Sequence, residues 1–376
     1  MVGSFVSEPQ NSSFSKIISN MDYIKSQQNT TTEHDDFMFA MNLVCTTSLP
    51  MVIKLAVELN LFEIIAKAGP GAQLSPKDIT SHLPTQNPNT AGFLDRILRL
   101  LASYNVLTST LATHEDDIVE RLYGLAPVSK YFVPNEEGVS LASYVLLSQD
   151  KACMDSWYHL KDSILEGGIP FNKVHGKHMY EYAGVDPRFN EVFNKAMFDH
   201  TSIFMKKMLE SYKGFKDLKE VVDVGGGLGS IVSMITSKYP TIKGINFDLP
   251  HVIAQAPSYP GVEHVGGNMF ESVPTSETIF LKWILIDWSD EKCIKLLKNC
   301  YKAVPDHGKV IVVDAIQPIA AETSIAAKNL CLIDVGLMLL NPISKERTEE
   351  EFANLAKAAG FAGMEKVCYV HNYWIM

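Results

Sequence analysis

Glu220-Val221-Val222-Asp223-Val224-Gly225-Gly226-Gly227-Leu228-Gly229-Ser230 decides how this chain is read. An apolar run rich in β-branched residues ends on an acid and a valine. Glycines follow at 225, 226, 227 and 229, and then a helical segment begins. The pattern predicts a strand, a tight turn and a helix start. Glycines at 225, 227 and 229 make GxGxG, whereas a dinucleotide fingerprint needs its last glycine one position later, where Ser230 stands. A turn without Cβ atoms lets a ligand lie against the backbone, under the positive end of the following helix. The spacing suits a pyrophosphate less well than an amino acid–nucleoside such as S-adenosylmethionine. Taken alone, it also fits an ordinary glycine-rich β-turn-helix.

Downstream the pattern alternates. Strands are predicted at 221–224, 245–249, 262–265, 279–285 and 310–316, with helices such as 231–238 and 290–303 between them. Residues 362–376 offer two short strands after a helix, which predicts an antiparallel edge. The fold class is therefore α/β, a doubly wound Rossmann-like sheet with its ligand at the carboxyl ends of the strands. Three positions at those ends carry chemistry. Asp248 closes the second strand, where an acid accepts both ribose hydroxyls or else caps the turn before Pro250. Asn268 and Met269 close the third and can bracket an adenine ring. Lys282 lies in the fourth, toward the methionine end of such a ligand. Each is weak singly; in order, on successive strands, they reinforce one another.

Upstream, residues 1–35 are rich in Ser, Asn, Gln and Thr and read as a loose leader. From Asp36 apolar residues recur at helical spacing (Phe37, Met41, Val44), and 51–65 continues the run. Ser75-Pro76 starts a short helix, and 90–101 is strongly amphipathic. Short strands at 106–108 and 122–125 flank an acidic loop, Glu115-Asp116-Asp117. Helices followed by a β-wing predict a mostly helical winged-helix module over 36–135. Its second helix is not basic, so dimerisation is favoured over DNA binding. The remainder, 136–376, holds the sheet, preceded by a helical stretch dense in Met and aromatic residues. Such a stripe is more often core than pocket, but its place just before the glycine turn keeps a small aromatic ligand open.

With 376 residues, 46% hydrophobic and 20% charged, the chain has the composition of an ordinary globular protein of two or three domains. Its net charge of -10 argues against nucleic acid and anionic membrane surfaces as partners. Six scattered cysteines without a CxxC pair fit reduced, buried thiols rather than disulfides or a zinc site. No apolar run reaches the ~18 residues of a membrane span, no signal-peptide core opens the chain, and Gly3 is not placed for myristoylation. The expectation is a cytoplasmic protein without a metal.

On these residues the chain resembles the plant caffeate-type O-methyltransferases, S-adenosylmethionine-dependent enzymes that methylate phenols. The matching stretches are VVDVGGGLG at 221–229, GINFDLPHV at 244–252, VEHVGGNMF at 262–270, LKWI at 281–284, DWSDE at 287–291 and GKVIV at 308–312. The likeness covers nearly everything after residue 36. It implies a homodimer joined through the N-terminal helices, and a cofactor site at Gly225, Asp248, Leu249, Asn268, Met269 and Lys282, with S-adenosylhomocysteine as the product left there. Many members carry Asp where this chain has Asn268, a mild change. The chain also stops at Trp374-Ile375-Met376, a few residues before such relatives usually end.

One departure is serious. Where the family reads Lys-Trp-Ile-x-His-Asp-Trp, with the histidine as general base, residues 282–288 read KWILIDW, and Ile286 occupies the base position. The resemblance maps the acids that steer that histidine onto Asp314, often Glu in the family, and Glu346. A phenol of pKa near 10 is ionised in only ~1 molecule in 1000 at pH 7, worth roughly 4 kcal/mol, and a positioned base contributes about 10²–10⁴. Alignment of nucleophile and methyl group survives the loss of a base. Three readings follow: a methyltransferase with a self-ionising substrate, an amine nucleophile or a substitute base, for which His200 is the candidate; a cofactor-retaining enzyme of other chemistry, such as a cyclase; or a silent dimer partner. The resemblance places the substrate wall at Leu147, Ser148, Cys153, Met179, Ala183, Phe189, Phe193, Met197, Gly336, Leu337 and Asn341, besides His200. Ser148 in place of an amide, Ala183 in place of a histidine and Gly336 in place of an aliphatic residue imply a substrate larger or less polar than caffeate.

Overall fold

The computed structural model describes residues 32–113 and 119–376. Most of the leader and the acidic loop Glu115-Asp116-Asp117 lie outside the described residues. The strands are β1 (Gln73–Leu74), β2 (Leu107–Thr113), β3 (Val119–Leu125), β4 (Glu220–Val224), β5 (Lys243–Asp248), β6 (Val262–Gly266), β7 (Thr278–Lys282), β8 (Lys309–Asp314), β9 (Cys368–Val370) and β10 (Tyr373–Ile375).

Seven of them form one sheet in the order β6-β5-β4-β7-β8-β10-β9. The first five run parallel. β10 joins antiparallel to β8 and to β9, the edge expected from the tail. The β9–β10 turn places His371 and Asn372 at positive φ, the geometry that tight hairpins use. Alternation sorts the strand residues. Val221, Phe280, Ile311 and Val313 face the helices Pro187–Ser211 and Ser230–Lys238, through Phe204, Met208, Val232 and Ile235. Val222, Val224, Ile279 and Leu281 face Asp290–Ala303 and Glu349–Ala359, through Leu296, Leu297, Phe352 and Leu355. Both faces are covered, which is why the strands read as unbroken apolar runs. Glu349–Ala359 starts at a capping box between Thr348 and Glu351 and stops at Gly360, at φ 108°.

The N-terminal part sets the helices Thr32–Cys45, Ser48–Glu58, Leu61–Lys67, Pro76–Ser81 and Thr90–Ser103 against a small antiparallel sheet ordered β1-β3-β2. Its core joins Phe62, Ile65, Leu94, Leu98, Leu101 and Tyr123. Among the described residues no single helix is long and apolar enough to cross a membrane; Thr32–Cys45 and Ser48–Glu58 meet at 46°.

Several boundaries differ from those expected. The helix predicted from Asp36 is already formed at Thr32, the first described residue. The strand expected to run to Leu249 ends at Asp248, because Leu249 caps the short helix Pro250–Ile253. The strand expected over 279–285 ends at Lys282, because Trp283 takes φ 55° and Leu285–Asp287 forms a 3₁₀ turn. β8 ends at Asp314, and Ile316 instead forms a lone bridge with Arg347.

Candidate active site

The carboxyl ends of β4, β5, β7 and β8 bring Asp223, Asp248, Lys282 and Asp314 to one edge of the sheet. The glycine turn leaves β4 with Gly225, Gly227 and Gly229 at φ 71°, 58° and 85°, which only glycine adopts without strain. Gly225 N–H donates to the Phe247 carbonyl at 2.8 Å, and Asn246 Nδ2 donates to the Gly227 carbonyl at 2.9 Å. A Cβ at Gly225 would collide with Ile284 Cδ1 at 2.5 Å, so packing as well as φ fixes that glycine; at Gly227 a Cβ would meet open space.

Asp248 accepts from Gly227 N–H at 2.8 Å through Oδ2 and from Leu249 N–H at 2.6 Å through Oδ1. An ionised carboxylate has about four acceptor sites, so room remains for two hydroxyls. Leu249 is exposed beside it. Asn268 is partly committed: its Oδ1 accepts from Phe270 N–H at 3.0 Å and its Nδ2 donates to Glu271 Oε1 at 3.1 Å. Met269 packs against the core beneath.

Lys282 is buried. Its Nζ donates to Thr201 Oγ1 at 3.2 Å and sits 3.0 Å from the centre of the Trp283 ring. Burial drives its pKa well below the ordinary lysine value, with Asp223 and Asp314 pulling the other way. Asp223 is 1% exposed, its Oδ2 has no hydrogen-bond partner among the described residues, and burial pushes its carboxyl up to about 7. Asn246 Oδ1 and Trp283 Nε1 are likewise unpartnered.

The turn Leu285–Asp287 carries Ile286 and is tied to the segment after the helix Ile325–Leu340. Lys345 N–H donates to the Ile286 carbonyl at 3.1 Å, Arg347 Nη1 to the Leu285 carbonyl at 2.5 Å and Asn341 Nδ2 to the Asp287 carbonyl at 3.3 Å. Arg347 is fully buried and also pairs with Asp290 at 2.8 Å. Ile286 is half-buried and packs into none of the four apolar clusters of the described residues. His200 lies among the rings of Trp283, Tyr144 and Tyr373, at 4.7, 5.3 and 6.3 Å between centres. Its Nδ1 has no partner among the described residues. Burial, then Lys282 and His371, lowers its pKa to about 4. Asp314 is 1% exposed, neither carboxylate oxygen has a partner among the described residues, and burial with Glu346 nearby raises its pKa well above the usual range. Burial, then Asp334, raises Glu346 to about 7, against Arg347.

Leu147, Met179 and Phe189 are buried in one apolar cluster, and Cys153, Ala183, Phe193 and Met197 pack against it. Ser148 turns its hydroxyl back onto the Tyr144 carbonyl at 2.8 Å. Gly336, in the helix Ile325–Leu340 with Leu337, leaves open space where a Cβ would stand.

Asp223, Thr201, Trp283, Tyr144, Tyr373 and Arg347 also belong to this region and were not expected from sequence. Asp223 alone carried a signal, as the acid that closes the strand before the glycines. Among the described residues no group of three or more His, Cys, Asp or Glu side chains is placed to hold a metal. The donors and acceptors fit S-adenosylmethionine: an acid with free acceptor capacity beside the glycine turn, and buried polar atoms left unpartnered next to it.

Two family profiles match the chain, the O-methyltransferase dimerisation domain over residues 41–135 and the O-methyltransferase domain over 157–362. The caffeic acid 3-O-methyltransferase of Medicago sativa is 59% identical over 339 residues, spanning 90% of this chain and 93% of that protein. That of Prunus dulcis is 60% identical over 339 residues, with 90% and 93% covered. Among solved structures, the S-adenosylhomocysteine-bound methyltransferase CalO1 of calicheamicin biosynthesis aligns with a TM-score of 0.76 at 20% identity, covering 91% of this chain and 97% of that one. Human N-acetylserotonin methyltransferase with S-adenosylmethionine aligns at 0.73 and 18%, covering 90% and 96%. These two show the fold.

Proposed function

We propose, from the premise that this chain belongs to the O-methyltransferase family, that it methylates a hydroxyl of a small phenolic compound of plant specialised metabolism, using S-adenosylmethionine, as a homodimer in the cytoplasm. The observation that carries the reading is the set of buried polar atoms, on Asp223 and Asn246 beside Gly226 of the glycine turn and on His200 and Asp314, that have no partner among the described residues. Buried polar groups without partners cost free energy, and a polar ligand in contact with them relieves it.

S-adenosylmethionine, when bound, supplies a methyl group already made electrophilic by its sulfonium. Asp248 would hold the ribose hydroxyls with its remaining acceptor capacity, Asn268 and Met269 the adenine, and Gly225, Leu249 and Lys282 the rest of the cofactor. Asn268 keeps one donor hydrogen and one acceptor lone pair free for that task. The apolar cluster of Leu147, Met179 and Phe189, backed by Cys153, Ala183, Phe193 and Met197, forms a dry wall for an aromatic ring. Ser148 spends its hydroxyl on its own helix, and Ala183 and Gly336 supply room, so the preferred phenol is bulkier or less polar than caffeate. Asn341 and Leu337 complete the wall beside the turn that carries Ile286. His200 is neutral at pH 7 and a weak acceptor at a pKa of about 4.

The dimer rests on the match to the dimerisation domain and on the exposed apolar side chains of the helix Thr32–Cys45. Incubation with methyl-labelled S-adenosylmethionine and a panel of catechols, ferulate-type phenols and coumarin phenols, followed by mass analysis, tests the reading. A product heavier by one labelled methyl is expected. Cofactor binding without any methylated product would point to other chemistry, and no binding at all to a silent dimer partner.

A further inference from the structure

We propose that His264 is a positioning residue for the cofactor: through the Asn246 amide it fixes the Gly227 peptide, and with it the orientation of Asp248. The inference deepens the methyltransferase reading and rests on it, since it concerns the turn against which S-adenosylmethionine would lie.

The three glycines of the turn that stand at positive φ are not held alike. Gly225 is pinned against Ile284, and Gly229 against the His264 ring, whose Cε1 lies 3.0 Å from where a Cβ would be. Gly227, at φ 58°, has no atom among the described residues within 4 Å of its Cβ position. Packing leaves it free, so hydrogen bonds set the two peptide groups that flank it. Its N–H donates to Asp248 Oδ2 at 2.8 Å, and its carbonyl accepts from Asn246 Nδ2 at 2.9 Å. Asn246 and Asp248 are two residues apart on β5 and therefore point to the same face of the sheet. One holds the turn and the other, held by it, is the acid read as the ribose partner.

The protons of this network follow from its ends. A carbonyl oxygen only accepts, so the Asn246 atom that faces Gly227 is the nitrogen. The same Nδ2 lies 3.1 Å from Nδ1 of His264, its neighbour across β5 and β6, so that ring nitrogen accepts and carries no hydrogen. The ring proton is then on Nε2, which donates to the Pro257 carbonyl at 2.9 Å. His264 thus joins the loop before β6 to the glycine turn as a neutral imidazole. Asn246 is fully buried and its Oδ1 has no partner among the described residues, so its oxygen does not choose which way the amide faces. The lone pair on His264 Nδ1 chooses it. Without that acceptor a second amide hydrogen is buried and orphaned, and the amide is released to rotate off the Gly227 carbonyl. Gly227 then keeps one of its two holds, and Asp248 loses a fixed partner.

Three variants separate the functions of the ring. His264→Asn puts an amide oxygen where Nδ1 accepts. His264→Gln keeps a donor for Pro257 but no acceptor for Asn246. His264→Phe keeps a ring and neither function. Titration calorimetry with S-adenosylhomocysteine compares them with the wild type. H264F and H264Q should bind about tenfold more weakly, the size of one buried hydrogen bond lost, and H264N should stay within about threefold of wild type. A residue that merely packed against Gly229 would give the opposite order, with H264F the mildest change. Should H264F fail to fold, H264N against H264Q decides the question alone. H264Q binding as tightly as wild type, or H264N binding as weakly as H264Q, overturns the assignment of His264 and leaves the methyltransferase reading intact. No heat from the wild type overturns both.

Discussion

The two parts of the molecule are incomplete in opposite ways. The N-terminal helix Thr32–Cys45 leaves Phe37 62% and Val44 74% exposed, with Met38, Phe39 and Leu43 beside them. The sheet region covers both faces with helices, yet it leaves Asp223, Asn246, Asp314 and His200 with buried atoms that have no partner among the described residues. One part lacks apolar contact, which a second copy of the chain would supply. The other lacks polar contact, which a ligand would supply. An exposed apolar stripe and an interior of orphaned polar atoms are both costly, and each points to the kind of partner that removes its cost.

The sharpest way to break this contrast is at the first deficit. Replacing Phe37 and Val44 together by Asp should weaken dimerisation at least a thousandfold, since burying one such side chain is worth about 1.5–3 kcal/mol and each protomer contributes two. Sedimentation analysis reads this directly, and an undisturbed dimer would remove the apolar half of the comparison.

The second deficit is sharpened by pH. Glu346 has its folded pKa raised from 4.5 to about 7, so its contribution is fully present below about 4.5 and is lost as pH rises toward 7. In the ligand-free protein, Glu346→Gln should therefore be more stable than wild type above pH 7, by up to about 3 kcal/mol, with the gap closing below pH 4.5. Asp95 in the N-terminal part behaves inversely. Its hydrogen bond from Arg121 lowers its pKa to about 2, so its contribution holds above about 4 and is lost as pH falls through 2. Chemical denaturation across pH distinguishes the two; a gap independent of pH would contradict the buried-acid account.

A smaller effect is expected at Asp248, the acid proposed to hold the cofactor's ribose. Asp248→Ala should raise the concentration of S-adenosylmethionine needed for half-maximal rate by about 100-fold, as two hydrogen bonds to a charged group are lost. An unchanged value would detach Asp248 from the site. Smallest is Ile286→His, which should raise phenol methylation by about tenfold, the low side of what a positioned base provides. Steady-state rates with catechols measure it, and no gain would mean that the space at 286 does not face the substrate.

Much of this was legible because the sheet is built on strong local signals. Asp223 to Gly229 carries its own strand, turn and helix start, and Asp248 sits at its strand's end as its spacing foretold. The limits lie where tertiary contacts override pattern. Residues 279–285 read as one strand, yet Trp283 turns left-handed and redirects the chain, which is what aims the Ile286 turn. Arg347 lies in the charged run KERTEE at 345–350, yet it is fully buried as the clamp on that turn. Asn268, expected with Met269 to bracket an adenine ring, already shares its amide with Phe270 and Glu271. No periodicity reveals such commitments, because they depend on residues far apart in the chain.

Titration calorimetry of the wild-type protein with S-adenosylhomocysteine tests the central claim most directly. The account predicts saturable heat with one site per chain and a matching rise in thermal stability as the orphaned polar atoms gain partners. Absence of heat, with melting unchanged at saturating ligand, would contradict it.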